Sequence, residues 1–216
     1  MIITGYNIEL MRLKHEDIEM VRNWRNSDHI KRFMEYREYI TPEMQEKWFR
    51  SIDNIYNNYY IIITKGEKIG LINGSEIDWD KKETLNGGIF IWKDEYWDTL
   101  IPLFSSILLT DISFLIGLER TYVKILRNNI KAIHFNKQLG YVILEGQEKF
   151  ENQRYVLTKE NYYKKTEILR KTLHKLSSQK YTIRITDKEN ESSKWIIEQY
   201  KKTTEENKKL VSLIID

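Results

Sequence analysis

Leu85-Asn86-Gly87-Gly88-Ile89-Phe90-Ile91-Trp92 opens the stretch, running on to Tyr141, whose reading decides the fold. β-branched and aromatic residues dominate this run, so it predicts a strand, and the glycine pair marks a weak point inside it. Lys93 to Thr99 interrupts the pattern. From Leu100 to Leu118 the chain is apolar over enough residues to make a buried helix. Tyr122-Val123-Lys124-Ile125-Leu126 predicts a second strand, and Asn129 to Leu139 a second, more polar helix closed by Gly140. A ligand site is expected where the first strand hands over to the buried helix.

The totals narrow the class of protein. In 216 residues, 41% are hydrophobic and 31% charged, which suits one main globular domain with room for a small appendage. A formal net charge of +3 is too small to make nucleic acid the expected partner. Cysteine is absent, which excludes disulfides, thiolate zinc sites and a cysteine nucleophile, and fits a cytoplasmic protein. Met1 to Asn7 lacks the basic start and apolar run of a signal peptide. Leu100 to Leu118 is the one segment worth testing as a membrane span. It carries Ser105, Ser106, Thr110, Asp111 and Ser113, and a charge near the centre of a bilayer is costly, so it reads as a core helix. His15, His29, His134 and His174 show no ligand spacing, and no metal is expected.

The rest of the chain supplies the partners of that central stretch. Ile8 to Leu13 predicts a strand, followed by a helix through Ile18, Val21 and Trp24, with Ser27-Asp28 capping the next turn. Thr41-Pro42-Glu43 is a helix start, and Met44, Trp48 and Ile52 form the inner face of the helix. Tyr59 to Thr64 and Lys68 to Gly74 predict a hairpin turned at Lys65-Gly66-Glu67, with Glu76 to Asp80 ending its second strand in carboxylates. Tyr141 to Glu145 and Gln153 to Leu157 predict two closing strands, and Thr158 starts a helix running to about Leu176. After a break at Ser177-Ser178-Gln179, Tyr181 to Ile185 reads as a short strand and Ser192 or Ser193 as the cap of a last helix. The segment 163–216 carries +5 and the remainder −2. Its charges are mixed rather than clustered, as on a solvated packing element. The expected class is α/β of the α+β kind. A mixed, largely antiparallel central sheet flanked by helices occupies 1–160, and a small C-terminal α/β appendage occupies 161–216.

Four pieces in order carry a family resemblance. They are Leu10-Met11-Arg12-Leu13 through Asn23-Trp24-Arg25-Asn26 to the Ile40-Thr41-Pro42 helix start; Lys68 to Ile72 ending in Ile77-Asp78; Gly88-Ile89-Phe90-Ile91; and Asn129-Ile130-Lys131-Ala132 through Asn136 to Leu139-Gly140-Tyr141. Over roughly Ile8 to Leu157 the chain resembles the GNAT superfamily of acyl-CoA-dependent N-acyltransferases. The Trp-Arg-Asn variant looks most like the branch that acetylates nucleotide-linked amino sugars.

The resemblance implies acetyl-CoA as co-substrate and a small-molecule primary amine as acceptor, with no nucleic acid or membrane partner and a homodimer left open. Its pantetheine would lie along Ile89, Phe90 and Ile91. Its pyrophosphate would meet Trp97, Asp98, Thr99, Leu100, Ile101 and Pro102 at the start of the buried helix, where free N–H groups favour anions. Asn129, Ala132 and Asn136 would border the cofactor from the second helix. Two departures stand out. Trp97 takes the place of a basic or Gln residue, and Asp98, Leu100 and Pro102 take glycine positions. Asn136 takes the place of a Tyr that protonates the leaving thiolate; its amide could still hydrogen-bond the thiol sulfur, which makes it a catalytic candidate with Glu76 and Asp78.

Transfer to an amine needs a base or water relay and an oxyanion donor. Glu76 and Asp78 are the candidate bases, with an ordinary acidic turn beside Lys81 and Lys82 as the alternative. The backbone N–H near Phe90 or Ile91 is the candidate oxyanion donor. Arg25 and Asn26 are candidate acceptor-binding residues, Arg25 for a phosphate or carboxylate; an ion pair is its alternative role. A catalytically degenerate GNAT-fold binding or assembly module stands as the second reading of the whole chain.

Overall fold

Successive residues of the central strands serve opposite cores, and this alternation builds the molecule. Ile61, Leu71 and Phe90 pack with Leu13, Val21, Phe49 and Trp92 on one face. Ile62, Ile72 and Ile91 pack with Ile107, Leu108, Ile112 and Tyr162 on the other. A strand buried on both faces needs this unbroken apolar run, because neighbouring side chains point opposite ways.

The computed structural model describes the backbone of residues 1–176 and 181–216, and the side chains of 1–172 and 181–216. The expected Ser177-Ser178-Gln179 break and the His174 side chain lie outside the described residues. The strands are β1 (Ile2–Gly5), β2 (Ile8–Arg12), β3 (Asn58–Thr64), β4 (Glu67–Asp78), β5 (Glu83–Ile91), β6 (Arg120–Leu126), β7 (Val142–Ile143), β8 (Asn152–Thr158), β9 (Tyr181–Ile185) and β10 (Val211–Ile215). The helices are α1 (Ile18–Asn26), α2 (Asp28–Lys31), α3 (Pro42–Ile52), α4 (Ile101–Leu115), α5 (Ile130–Leu139), α6 (Lys159–Leu176), α7 (Glu191–Lys202) and α8 (Glu205–Leu210). All the described strands join one sheet in the order β10-β9-β1-β2-β3-β4-β5-β6-β8-β7. Neighbours are antiparallel except β5 with β6 and β9 with β10. The mixed, largely antiparallel sheet flanked by helices is the expected class.

Local chemistry sets the boundaries. Lys65 and Gly66 both have positive φ (51° and 78°), the backbone that a tight two-residue hairpin requires. Thr41 accepts from Met44 N at 3.2 Å to start α3. Asn129 accepts from Ala132 N at 3.1 Å to start α5, which ends on Gly140 in the left-handed conformation.

The structure corrects several local expectations. Asn190, not Ser192 or Ser193, caps α7, accepting from the N–H groups of both serines, which fall in the first helical turn. Ser27 does not cap α2 with its side chain; its hydroxyl donates back to Trp24 O at 2.5 Å. The strand expected over Tyr141 to Glu145 shrinks to Val142–Ile143, a short edge that turns away before Gly146 at φ 77°. β1, α8 and β10 have no counterpart in the sequence reading. β1 matters most, because β9 adds to the sheet through it and β10 adds to β9.

The C-terminal segment also grips α4 from the side. Asp111, fully buried on α4, pairs with Arg170 of α6 at 3.1 Å and accepts from the hydroxyls of Tyr162 and Tyr181. Tyr181 bonds in turn to the Tyr6 hydroxyl. A buried charge needs this density of partners to be tolerated. α4 is therefore held along its length, leaving its N-terminus to face the gap between β5 and β6.

Candidate active site

β5 and β6 run parallel only briefly. They pair at Glu83–Arg120, Thr84–Thr121 and Gly87–Val123, with a register shift before the last pair and no pairing beyond it. From there β5 stays with β4 as far as Ile91, while β6 stays with β8 as far as Leu126. The sheet thus forks. Trp92 N bonds to Ile69 O at 2.9 Å, so by antiparallel alternation Phe90 and Gly88 direct their backbone groups to β4. Ile89 and Ile91 direct theirs into the fork. A Cβ on Gly87 would stand 3.3 Å from both Tyr122 O and Val123 Cγ1, so glycine lets the strands meet closely at the crotch.

The fork opens into a cleft of 1310 Å³ that runs between the parted strands, with α4 and α5 on one side and the α1–α3 layer on the other. Of the residues expected at the cofactor, Ile89, Phe90, Ile91, Trp97, Asp98, Thr99, Leu100, Pro102, Asn129, Ala132 and Asn136 all line it. Ile101 does not; it packs against the α4-side core.

The start of α4 has an unusual donor set. Ile101 N is taken by Thr99 Oγ1 at 3.2 Å, and Pro102 has no N–H, so Leu103 keeps the free donor of the first turn. Asp98 pairs with Lys131 Nζ at 3.7 Å across the cleft mouth, both side chains being exposed. Lys131 is the cation that the sequence reading missed; its signal was its place two residues after the Asn129 cap. Asn136 folds its Nδ2 back to Ala132 O at 2.8 Å, and Asn129 is occupied as the cap of α5.

The side of the cleft facing α1–α3 is floored by cross-strand rows. Tyr59, Asn73 and Gly88 lie opposite one another on β3, β4 and β5, and Ile61, Leu71 and Phe90 form the next row on the same face. Trp48 stands edge-on to Tyr59, with ring centroids 5.2 Å apart. Arg25 lies over Phe90 at 5.9 Å, and among the described residues its buried Nε has no hydrogen-bond partner. Burial pushes the Arg25 pKa down, a sign that no carboxylate compensates it. Burial pushes the Tyr59 hydroxyl up, with the Ser75 hydroxyl pulling the other way, so it stays protonated at neutral pH. His29 also lines this side, with Nε2 3.5 Å from Asp94.

Besides Ile101, three expected site residues lie outside the lining of the cleft. Asn26 clamps the loop before α3, donating to Ile40 O at 2.9 Å and accepting from Ile40 N at 2.8 Å. Asp78 accepts from Lys81 N at 2.9 Å and pairs with its ammonium at 3.0 Å, which holds the carboxyl below its usual range. Glu76 is exposed at φ 56° and accepts from Asn86 Nδ2 at 3.4 Å.

The forked parallel pair, with a helix N-terminus facing it, agrees with a family-model match. Residues 7–142 match the model described as "Acetyltransferase (GNAT) domain". The chain belongs to the GNAT acetyltransferase family. Its GNAT fold recurs in solved structures at low sequence identity. Spermidine N-acetyltransferase from Vibrio cholerae, in complex with CoA and spermine, is 19% identical with a TM-score of 0.61, over 73% of this chain and 99% of that one. FdhC, described as a nucleotide-linked sugar GNAT, is 19% identical with a TM-score of 0.65, over 80% and 98%. A domain from Methanocaldococcus jannaschii is 22% identical with a TM-score of 0.62, over 70% and 97%. No curated protein sequence matches. Among the described residues, no helix of this GNAT protein is long and apolar enough to cross a membrane, and no cluster of three or more His or acidic side chains could hold a metal.

Proposed function

We propose that this protein is an acetyl-CoA-dependent N-acetyltransferase whose acceptor is a primary amine on an anionic small molecule, an amino sugar nucleotide by preference. The observation that carries the reading is the β5–β6 fork opening onto a wall that holds the unpaired Arg25. Acetyl-CoA supplies an activated thioester, whose carbonyl carbon forms the C–N bond as the C–S bond breaks. The pantetheine arm fits the fork, where the unpaired backbone of Ile89 and Ile91 can take over the ladder that β6 abandons.

The N–H of Ile91 or Ile89, rather than of Phe90, is the oxyanion donor in this reading, since Phe90 is already committed to β4. Glu76 and Asp78 stand away from the cleft lining, so the amine proton leaves to water instead of directly to either. Asn136 has spent its donor within α5, and the thiolate departs without an acid from that residue; its low basicity makes this tolerable. At the phosphate end, Leu103 N–H and Lys131 replace the usual glycine-rich cradle. Arg25 takes the acceptor's phosphate or carboxylate, which would give its buried guanidinium the counter-charge it lacks.

Thermal stabilisation by CoA and acetyl-CoA tests the donor half. Saturation at a hundredfold over Kd should add about 2.7 kcal/mol, a shift of several degrees in Tm. Asp98→Gly with Leu100→Gly should enlarge that shift. No shift at millimolar concentrations of either ligand would overturn the enzyme reading and favour the degenerate binding module instead.

A further inference from the structure

The middle of the acceptor floor carries an amide whose orientation is forced. Asn73 Nδ2 has two hydrogens, and both are used: one goes to Asn86 O at 3.1 Å, the other to Ser75 Oγ at 3.2 Å. Ser75 donates its own proton to the same Asn86 carbonyl at 2.9 Å, so its oxygen faces Asn73 as an acceptor. Turning the Asn73 amide over would set its Oδ1 against the Asn86 carbonyl oxygen, two acceptors face to face. The orientation therefore follows from chemistry and not from convention.

That leaves Oδ1 as a bare acceptor. Among the described residues nothing donates to it, and Asn73 lines the cleft. It lies over Gly88, where a Cβ would come within 3.1 Å of it. Gly88 immediately precedes the forked segment whose backbone takes the donor. Tyr59 flanks Asn73 on the other side of the row, and its hydroxyl stays protonated. An asparagine in the apolar run of β4 is a poor choice for strand stability, and the Asn86 carbonyl and the Ser75 hydroxyl fix how its amide is aimed.

We infer that Asn73 Oδ1 binds the acceptor amine, accepting one N–H so that the nitrogen lone pair faces the thioester carbon held at the fork. This rests on the acetyltransferase reading given above. Of the two N–H bonds of a neutral primary amine, one is held by Asn73. The other loses its proton to water once the C–N bond has formed, and the departing thiolate gains a proton overall. Gly88 is the companion requirement, because any side chain there would displace the amide oxygen. The arrangement selects primary amines over tertiary ones, which have no N–H to give.

The test compares wild type with Asn73→Leu and Gly88→Ala in transfer from acetyl-CoA to three probes: a dTDP-linked 4-amino sugar, a UDP-linked amino sugar and spermidine. Both variants should lose on the order of tenfold to hundredfold in kcat/KM for whichever amine is acetylated, while KM for acetyl-CoA stays within about twofold. If Asn73→Leu does not fold, Gly88→Ala carries the comparison alone. Unchanged amine kinetics in a folded variant would overturn the assignment and leave the acetyltransferase reading standing. Parallel loss for donor and acceptor together with a lowered Tm would also overturn it, reducing Asn73 to a packing residue. Transfer by wild type to none of the three amines would overturn both.

Discussion

The two walls of the cleft are made of different material. The wall proposed for the donor is backbone: the fork between β5 and β6, the glycine at its crotch, and the start of α4. The wall proposed for the acceptor is side chain: Arg25 from α1, Trp48 from α3, Tyr59 from β3, and Asn73 and Phe90 from the sheet floor. A backbone wall recognises what every donor shares and tolerates replacement of most of its side chains. A side-chain wall recognises one acceptor and changes wholesale with a few substitutions.

The sharpest way to break the donor wall is to fill the crotch. Gly87→Val would drive branched carbons into Tyr122 O and Val123, each already 3.3 Å from a first carbon. Overpacking of this kind costs about 1–3 kcal/mol, and here it should also weaken CoA binding at least tenfold, measured by calorimetry. Acceptor binding in the same variant should change far less.

Arg25→Met breaks the other wall. Loss of a charge-assisted hydrogen bond should raise the acceptor KM by roughly 10–100-fold, about 1.5–3 kcal/mol, with the CoA dissociation constant unchanged. Tm should not fall, because the residue removed is a half-buried cation without a counter-charge in the free protein. A Tm decrease of many degrees would show instead that Arg25 is structural.

Asn129→Ala gives the smallest and most diagnostic effect. The side chain borders the donor wall but is spent on capping α5. Its loss should lower stability by about 1 kcal/mol, or roughly 2–4 °C in Tm, while acetyl-CoA affinity remains close to wild type. A loss of affinity larger than the loss of stability would place its amide on the cofactor.

These contrasts follow how each wall could be read. The donor wall was legible because its determinants are contiguous: Gly87-Gly88, the run to Trp92, and Asn129 through Gly140 each state their local structure. The same contiguity placed Trp97 to Pro102 at the start of α4, with Ile101 turned into the core as the one exception. On the opposite wall the sequence singled out Arg25 and Phe90, the latter for the cofactor, and both line the cleft. Asn73 carries no local signal beyond being a polar residue in an apolar strand, and its importance comes from Asn86 and Ser75 fixing its amide. Asn26 was misplaced for the matching reason: adjacent to Arg25 in sequence, it points to Ile40 instead of the cleft.

By itself the sequence determined the strands of the central run, the helix cap at Thr41, the buried character of α4 and the break after β5. These are local consequences of side-chain period, backbone freedom and hydrogen-bonding capacity, which act over a few residues. Only the tertiary structure decided that β6 leaves β5 after Gly87, that β9 and β10 extend the sheet through β1, and that Asp111 is clasped from α6 and β9. It alone also decided which polar groups face the cleft with nothing to bond. Pairing partners far apart in the chain compete on packing and polar satisfaction together, and no short window of sequence contains that competition.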